Sequence, residues 1–304
     1  MKNSTKMKKL LSMNILTFDI EEWYIEKTFK GDRNERYAKF DAYLDIILNL
    51  LDETSTKATF FCVGKMAIDF PEVVKRIAEH GHEIGCHSNV HTWLNKMTQD
   101  EVLEDTRLAV DSLEQCIGKK VLSYRAPAFS IGENNKWAFE ILAECGIERD
   151  ASVFPAKRDF GGFPDFGSKE PTMISYNGIK IKEFPICTTR ILGNEFAYSG
   201  GGYFRFFPLW FVNNEMRKTS YSMCYFHLGD MLLETNHVMS RKEYEDYFKE
   251  NGSLINRYKR YFKGNLGKKK AWDKLEKLVH SYEFENIEMV DKSIDWSKCP
   301  QSEL

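Results

Sequence analysis

The sequence predicts a parallel α/β fold with a helical C-terminal extension, and three observations carry that prediction. Short apolar runs alternate with helix-patterned stretches along most of the chain, the pattern of strands joined by helical crossovers. Polar residues recur at or just after the carboxyl ends of those runs: Asp19, His87, Arg125, Asp150 and His227. In parallel α/β architectures that is the face where active sites assemble. Finally, from about Ser240 to Tyr282 the chain turns charged and helical, as a covering layer would.

Each element follows from local chemistry. Asn14–Phe18 is a β-like run that delivers Asp19. Phe40, Leu44, Ile47, Leu48 and Leu51 recur at helical spacing. Lys57–Val63 is the second strand, closed by Gly64. Pro71 suits the first turn of a helix that ends before Gly81. His82–Cys86 is a short strand leading into His87. Thr98 and Glu101 form a capping box for a helix that Gly118 stops. Val121–Tyr124 is a strand ending at Arg125, Asn135–Cys145 a helix, and Ile147–Asp150 a short strand. Met173–Tyr176 and Ile179–Phe184 flank Asn177-Gly178, a strong hairpin turn. Ser199–Phe207 reads as a glycine- and aromatic-rich loop, Pro208–Lys218 as a helix, and Ser222–Phe226 as a final strand ending at His227.

Bulk properties bound the function. The 304 residues suffice for one large domain with an appendage, and 42% hydrophobic with 29% charged content is ordinary for a folded chain. A net charge of −2 implies no attraction to nucleic acid. No apolar run is long enough for a spanning helix. The N-terminus is lysine-rich and lacks the apolar core of a secretory signal, so residues 1–12 read as a leader before the fold. Seven cysteines are scattered singly without a CxxC pair, which reads as reduced thiols and a cytoplasmic location.

Four constellations carry chemistry. His87 and His91 stand four apart, so a helical turn would aim both rings at one ion. A bare pair at that spacing is as readily a pair of surface residues, but the strand before it favours the metal. In Asp19-Ile20-Glu21-Glu22, an extended backbone turns Asp19 and Glu21 to one side. Their repulsion would be relieved by a cation, or by one carboxylate binding metal while the other pairs with an arginine. Arg125, fixed by Pro127, can reach inward as that partner. His227 has a proton available near neutrality; Asp150 and Asp230 are both candidates to hold its ring.

Together these segments resemble the polysaccharide deacetylase family, the NodB-like carbohydrate esterases of class 4. The matching stretches are LTFDIEEW (16–23), KATFFCVGKMA (57–67), GHEIGCHSNVH (81–91), YRAPAFSIG (124–132), DASVFP (150–155) and YFHLGD (225–230). The chain looks most like the subgroup with an Asp-x-Glu first motif and a GGGYFR segment (200–205), associated with cell-surface polysaccharide assembly. The resemblance covers roughly residues 13–230 and implies a distorted (β/α)7 barrel, so 13–235 reads as the catalytic domain, and the charged helical pattern makes 236–304 an extension packed on it. The resemblance also implies a hydrolase acting on carbon–nitrogen bonds other than peptides, which removes N-acetyl groups from an amino sugar. By resemblance Asp19 matches the catalytic base, Arg125 its partner, His87 and His91 two metal ligands, and His227 the acid.

The family's consecutive aspartates are here Asp-Ile-Glu, so side-chain direction moves the third ligand to Glu21, with Glu22 open. Asp150 is the preferred residue to orient the acid, and Tyr203, Arg205 and Phe129 are candidates for substrate contact. The expected cofactor is a divalent metal, Zn²⁺ before others. The expected partner is an N-acetylated sugar or oligosaccharide, in a cytoplasmic setting conceivably lipid-linked. Two rivals share the barrel: an allantoinase-like cyclic-amide hydrolase, and a non-catalytic carbohydrate-binding protein.

Overall fold

A computed structural model describes residues 12–27, 34–158, 161–231, 237–248 and 250–304; most of the expected leader lies outside them. Strands β1 (Met13–Ile20), β2 (Thr59–Cys62), β3 (Glu83–Cys86), β4 (Ser123–Tyr124) and β5 (Arg149–Asp150) follow the predicted order. Then come β6 (Thr172–Tyr176), β7 (Ile179–Glu183), β8 (Thr188–Ile191), β9 (Asn194–Ala197), β10 (Tyr221–His227) and β11 (Gln301–Glu303). The main sheet runs β10-β1-β2-β3-β4-β5-β7-β6-β11. From β10 to β7 every neighbour is parallel. β6 turns back antiparallel through Asn177 and Gly178, both at positive φ (44° and 84°), as the Asn-Gly signal requires.

The parallel strands curl into a distorted barrel whose last gap is closed by side chains. β10 and β7 share no ladder. Instead Tyr221 Oη donates to Pro185 O at 2.8 Å, and Met223 N donates to Cys187 Sγ at 3.1 Å. Arg125, just after β4, reaches Thr17 on β1 and Ala151 after β5 (2.8 and 3.1 Å). One side chain can touch all these walls only across a closed interior.

Helices cover the outside. The 99–117 helix starts with the expected capping box: Thr98 N donates to Glu101 Oε2 at 2.7 Å, and Glu101 N to Thr98 Oγ1 at 3.3 Å. Gly118 ends it at φ 66°. Four expectations change. The Ser199–Phe207 loop contains a helix, Gly201–Phe206. Gly200 precedes it because a Cβ there would lie 2.2 Å from the Tyr225 ring, so the glycines serve close packing rather than looseness. A short helix, Gly64–Asp69, follows β2. β8 and β9 form an unpredicted hairpin. Finally, β10 is not the last strand, because β11 adds to the sheet beside β6.

The C-terminal region is therefore more than a helical cover. Glu285 bridges to Ile15, and the N-terminus of the Ile287–Ser293 helix sits on Glu83. There Glu288 N donates to Glu83 Oε2 at 2.9 Å, and Thr59 Oγ1 donates to the same oxygen at 2.6 Å. This closes the barrel end opposite the predicted site.

Candidate metal centre and active site

The carboxyl ends of β1, β3, β4 and β10 bring Asp19, His87, Arg125 and His227 to one face, as the strand-end pattern required. Seven residues of β1 pair in register with β10, setting Asp19 opposite His227. β1 ends at Ile20, and Glu21 follows it.

The two histidines converge, but not on a helix. The stretch 87–91 is irregular, with Ser88 and His91 at φ 59° and 58°. The loop is shaped by bonds to its neighbours. Gly64 N donates to Ser88 O (2.8 Å), Asn89 N to Asp105 Oδ2 (2.8 Å) and His91 N to Ser88 Oγ (2.8 Å). Gly64 must be glycine, since a Cβ would lie 2.5 Å from the Ala109 backbone.

His87 Nδ1 lies 2.7 Å from the carbonyl oxygen of Arg125. A carbonyl only accepts, so Nδ1 carries the proton and the Nε2 lone pair faces the cleft. Nε2 lies 3.7 Å from Glu21 Oε2, and His91 Nε2 closes on the same oxygen. Among the described residues these three form the candidate metal-binding group, their ligand atoms within 4.8 Å of one another. Glu21 Oε2 is buried and accepts no aligned hydrogen bond. A buried anionic oxygen is costly in that state, and a cation between it and two imidazole lone pairs removes the cost. The donor set thus fits a metal on its own geometry.

Glu22 turns elsewhere, its Oε1 accepting from Gly229 N at 3.0 Å. Burial and the neighbouring Glu21 push its carboxyl up to about 7. Burial alone would raise Glu21 too, but His91, His227 and His87 hold it well below the usual range.

Asp19 is buried, its Oδ1 accepting from Arg125 Nη1 at 2.8 Å. Arg125 is wholly buried, lies 4.3 Å over the Phe61 ring, and donates to Thr17 and Ala151 as well. Such a pair survives burial because its polar atoms are satisfied. The free oxygen of Asp19 lies 3.8 Å from His227 Nε2.

His227 is held by Asp230, not Asp150. Asp230 Oδ2 takes both the His227 backbone N–H (3.1 Å) and ring Nδ1 (3.0 Å). Asp150 is occupied instead by Ser152, whose Oγ donates to it at 2.6 Å, and by the buried Glu183. Burial, and in Glu183 the repulsion from Asp150, pushes both acids up. The three-residue separation in His227-Leu228-Gly229-Asp230 was the available signal, since a short turn brings i and i+3 together. Around His227, desolvation disfavours the imidazolium, but Glu21, Asp230 and Asp19 outweigh it and raise the pKa well above the ordinary value.

Two of the candidate substrate contacts change as well. Phe129 is buried, packed edge-on against Tyr225 at 5.0 Å, so it forms the wall behind Arg125. Arg205 is nearly buried, lies 3.6 Å from Asp230, and donates to Gly264 O at 2.8 Å. It braces the acid's partner against the C-terminal region. Tyr203 is half-buried beside Phe196 and Phe154. Arg158, which the sequence reading passed over, lies 4.5 Å over Phe154 and 5.0 Å over Phe129.

Comparison with known proteins shows what the chain is similar to. Residues 13–149 match the family model described as polysaccharide deacetylase, and 151–292 match a domain of unknown function, DUF3473. The polysaccharide deacetylase match covers the part of the chain that carries Asp19, Glu21, His87, His91 and Arg125. A peptidoglycan-N-acetylglucosamine deacetylase of Bacillus cereus is 40% identical over 95 residues, 31% of this chain and 34% of that protein. The peptidoglycan-N-acetylmuramic acid deacetylase PdaA of Bacillus subtilis is 28% identical over 106 residues, 33% of this chain and 40% of that one. The chain spans less than half the length of such curated relatives. A Mycobacterium smegmatis protein solved as a candidate polysaccharide deacetylase shares the fold at TM-score 0.62 and 18% identity, over 96% of this chain and 94% of that one.

Proposed function

We propose that this chain is a metal-dependent hydrolase that removes N-acetyl groups from an amino sugar in surface polysaccharide metabolism. One observation carries the reading: Glu21, His87 and His91 converge beside an Asp19–Arg125 pair and an Asp230–His227 pair. Each half of an amide hydrolysis then has its group.

Glu21, His87 and His91 would hold the metal, and two imidazoles with one carboxylate suit Zn²⁺. When bound, the metal supplies Lewis-acid polarisation of the acetamide oxygen and a more acidic water. The backbone N–H groups of Val63 and Gly64 are already engaged, by Ile20 O and Ser88 O, and leave the oxyanion to other donors. Asp19 is the base: Arg125 holds one oxygen, while the other, beside His227, takes the proton from the attacking water. His227 gives a proton to the departing nitrogen as the carbon–nitrogen bond breaks, yielding acetate and a free amine. Its ring is 33% exposed on the side chain, so it opens onto the cleft.

The catalytic unit in this reading is 13–235, with 236–304 closing the barrel bottom and bracing Asp230. The seven unpaired cysteines support a cytoplasmic setting. No helix among the described residues is long and apolar enough to cross a membrane. The reading is tested by acetate release from N-acetylhexosamine oligomers by the purified chain. Release is expected; hydrolysis of ureides or imides without acetate would replace the deacetylase with the cyclic-amide reading.

A further inference from the structure

The Leu254–Asn265 helix contributes no buried residue, yet it is rich in apolar side chains. Leu254, Ile255, Tyr258 and Phe262, with Leu266 at the cap, fall within an arc of roughly 120° at the helical repeat. All five are exposed, Ile255 by 79% and Phe262 by 66%. Phe206 and Trp210 (70% for Trp210) are a second exposed apolar pair, on the segment that meets the end of this helix. The junction is tight: Arg205 donates to Gly264 O at 2.8 Å, and a Cβ on Gly267 would lie 2.2 Å from Arg205 O. Leu266 and Phe206 are the chain neighbours of residues in that contact, so the helix stripe ends where the second pair begins along the chain. Contiguous exposed apolar surface marks an interaction site.

Charge selects the occupant. Lys259 and Lys263 border the stripe along the helix and are exposed, and Lys268-Lys269-Lys270 continues past its end. The whole chain carries only −2, so this basic concentration is local. Lysine is depleted where proteins bury each other's surfaces. An apolar stripe edged with lysines is instead what an interfacial helix presents to anionic lipid.

We propose that this face docks on an anionic lipid bilayer, its apolar side chains at the headgroup boundary and its lysines on lipid phosphates. Arg205 ties the face to the site, since its side chain lies 3.6 Å from Asp230, which holds His227. Docking would therefore set the cleft at the membrane surface, where an N-acetylated sugar on a lipid carrier could be presented. That substrate class rests on the deacetylase reading; the docking does not.

The test is co-sedimentation of the full chain with phosphatidylcholine vesicles, with and without about one-third phosphatidylglycerol. Binding is expected to the anionic vesicles, weakening as salt is raised. Ile255→Ser with Phe262→Ser should weaken it by at least about tenfold. Lys259→Gln with Lys263→Gln should do the same for anionic vesicles. Both variants should keep the wild-type circular dichroism spectrum and metal content. The proposal is overturned by a wild-type chain that stays in the supernatant, or by variants of unchanged affinity. It is equally overturned by a wild-type dimer that the apolar double variant makes monomeric, since the face would then cover a second copy. Turnover is not measured in any arm, so failure here leaves the acetate-release test standing.

Discussion

Asp230 meets His227 through one oxygen that also caps the backbone N–H of that histidine, so ring and backbone are fixed together. Removing its charge leaves the imidazole without its orienting acceptor. Asp230→Asn should lower kcat about a hundredfold while bound metal, measured by elemental analysis, stays at the wild-type level. Loss of metal would instead make Asp230 part of the ligand scaffold. His82 offers a separate test, on stability. It is buried, accepts a bond from Ala58 N at 3.3 Å, and is pushed down to about 4 by burial and then by Lys57. Between that value and the ordinary 6.5 the unfolded chain binds a proton that the folded chain refuses. Its contribution is thus lost as pH falls from about 6.5 toward 4. His82→Asn should show a smaller drop in urea-unfolding free energy from pH 7 to pH 5 than the wild type; an equal drop would contradict the assignment.

At the element scale, the barrel is closed twice by groups outside the strand ladder: at the β7–β10 seam by Cys187 and Tyr221, and at the bottom by the Ile287–Ser293 helix on Glu83. Glu83 also receives Ser123 Oγ at 2.6 Å and lies 3.4 Å from Arg149 Nη2. Glu83→Ala would strip a helix N-terminus of its anion, leave the buried arginine with Asp291 alone at 3.3 Å, and orphan Thr59 and Ser123. A loss of about 3–5 kcal/mol is expected, read by urea unfolding, with the metal site untouched. A loss below about 1 kcal/mol would show that the network contributes little. These closures explain what the sequence could and could not reveal. Strands such as LTF before Asp19 and TFFC before Gly64 are apolar, short and bounded by turn residues, so period and punctuation expose them. β11 is three residues of ordinary polarity, and β8–β9 a hairpin whose Leu192 takes φ 48°. Their signals are tertiary, not local.

Across the whole molecule, strand order makes the site legible in the sequence, while the local geometry that completes it is not. Strand ends collected Asp19, His87, Arg125 and His227 correctly, because strand periodicity and parallel order set which face they share. His87 and His91 converge although no helix carries them; a loop with two left-handed residues brings them together, and no spacing rule encodes that. Glu21 was readable from side-chain alternation after β1. Asp150 was not excluded by sequence, since its buried partner Glu183 lies in another strand. The single measurement that bears most directly on this account is metal stoichiometry across variants of the acidic stretch. About one metal per chain is expected for the wild type and for Glu22→Ala, and almost none for Glu21→Ala. Full metal in Glu21→Ala, or its loss only in Glu22→Ala, would contradict the centre described by Glu21, His87 and His91.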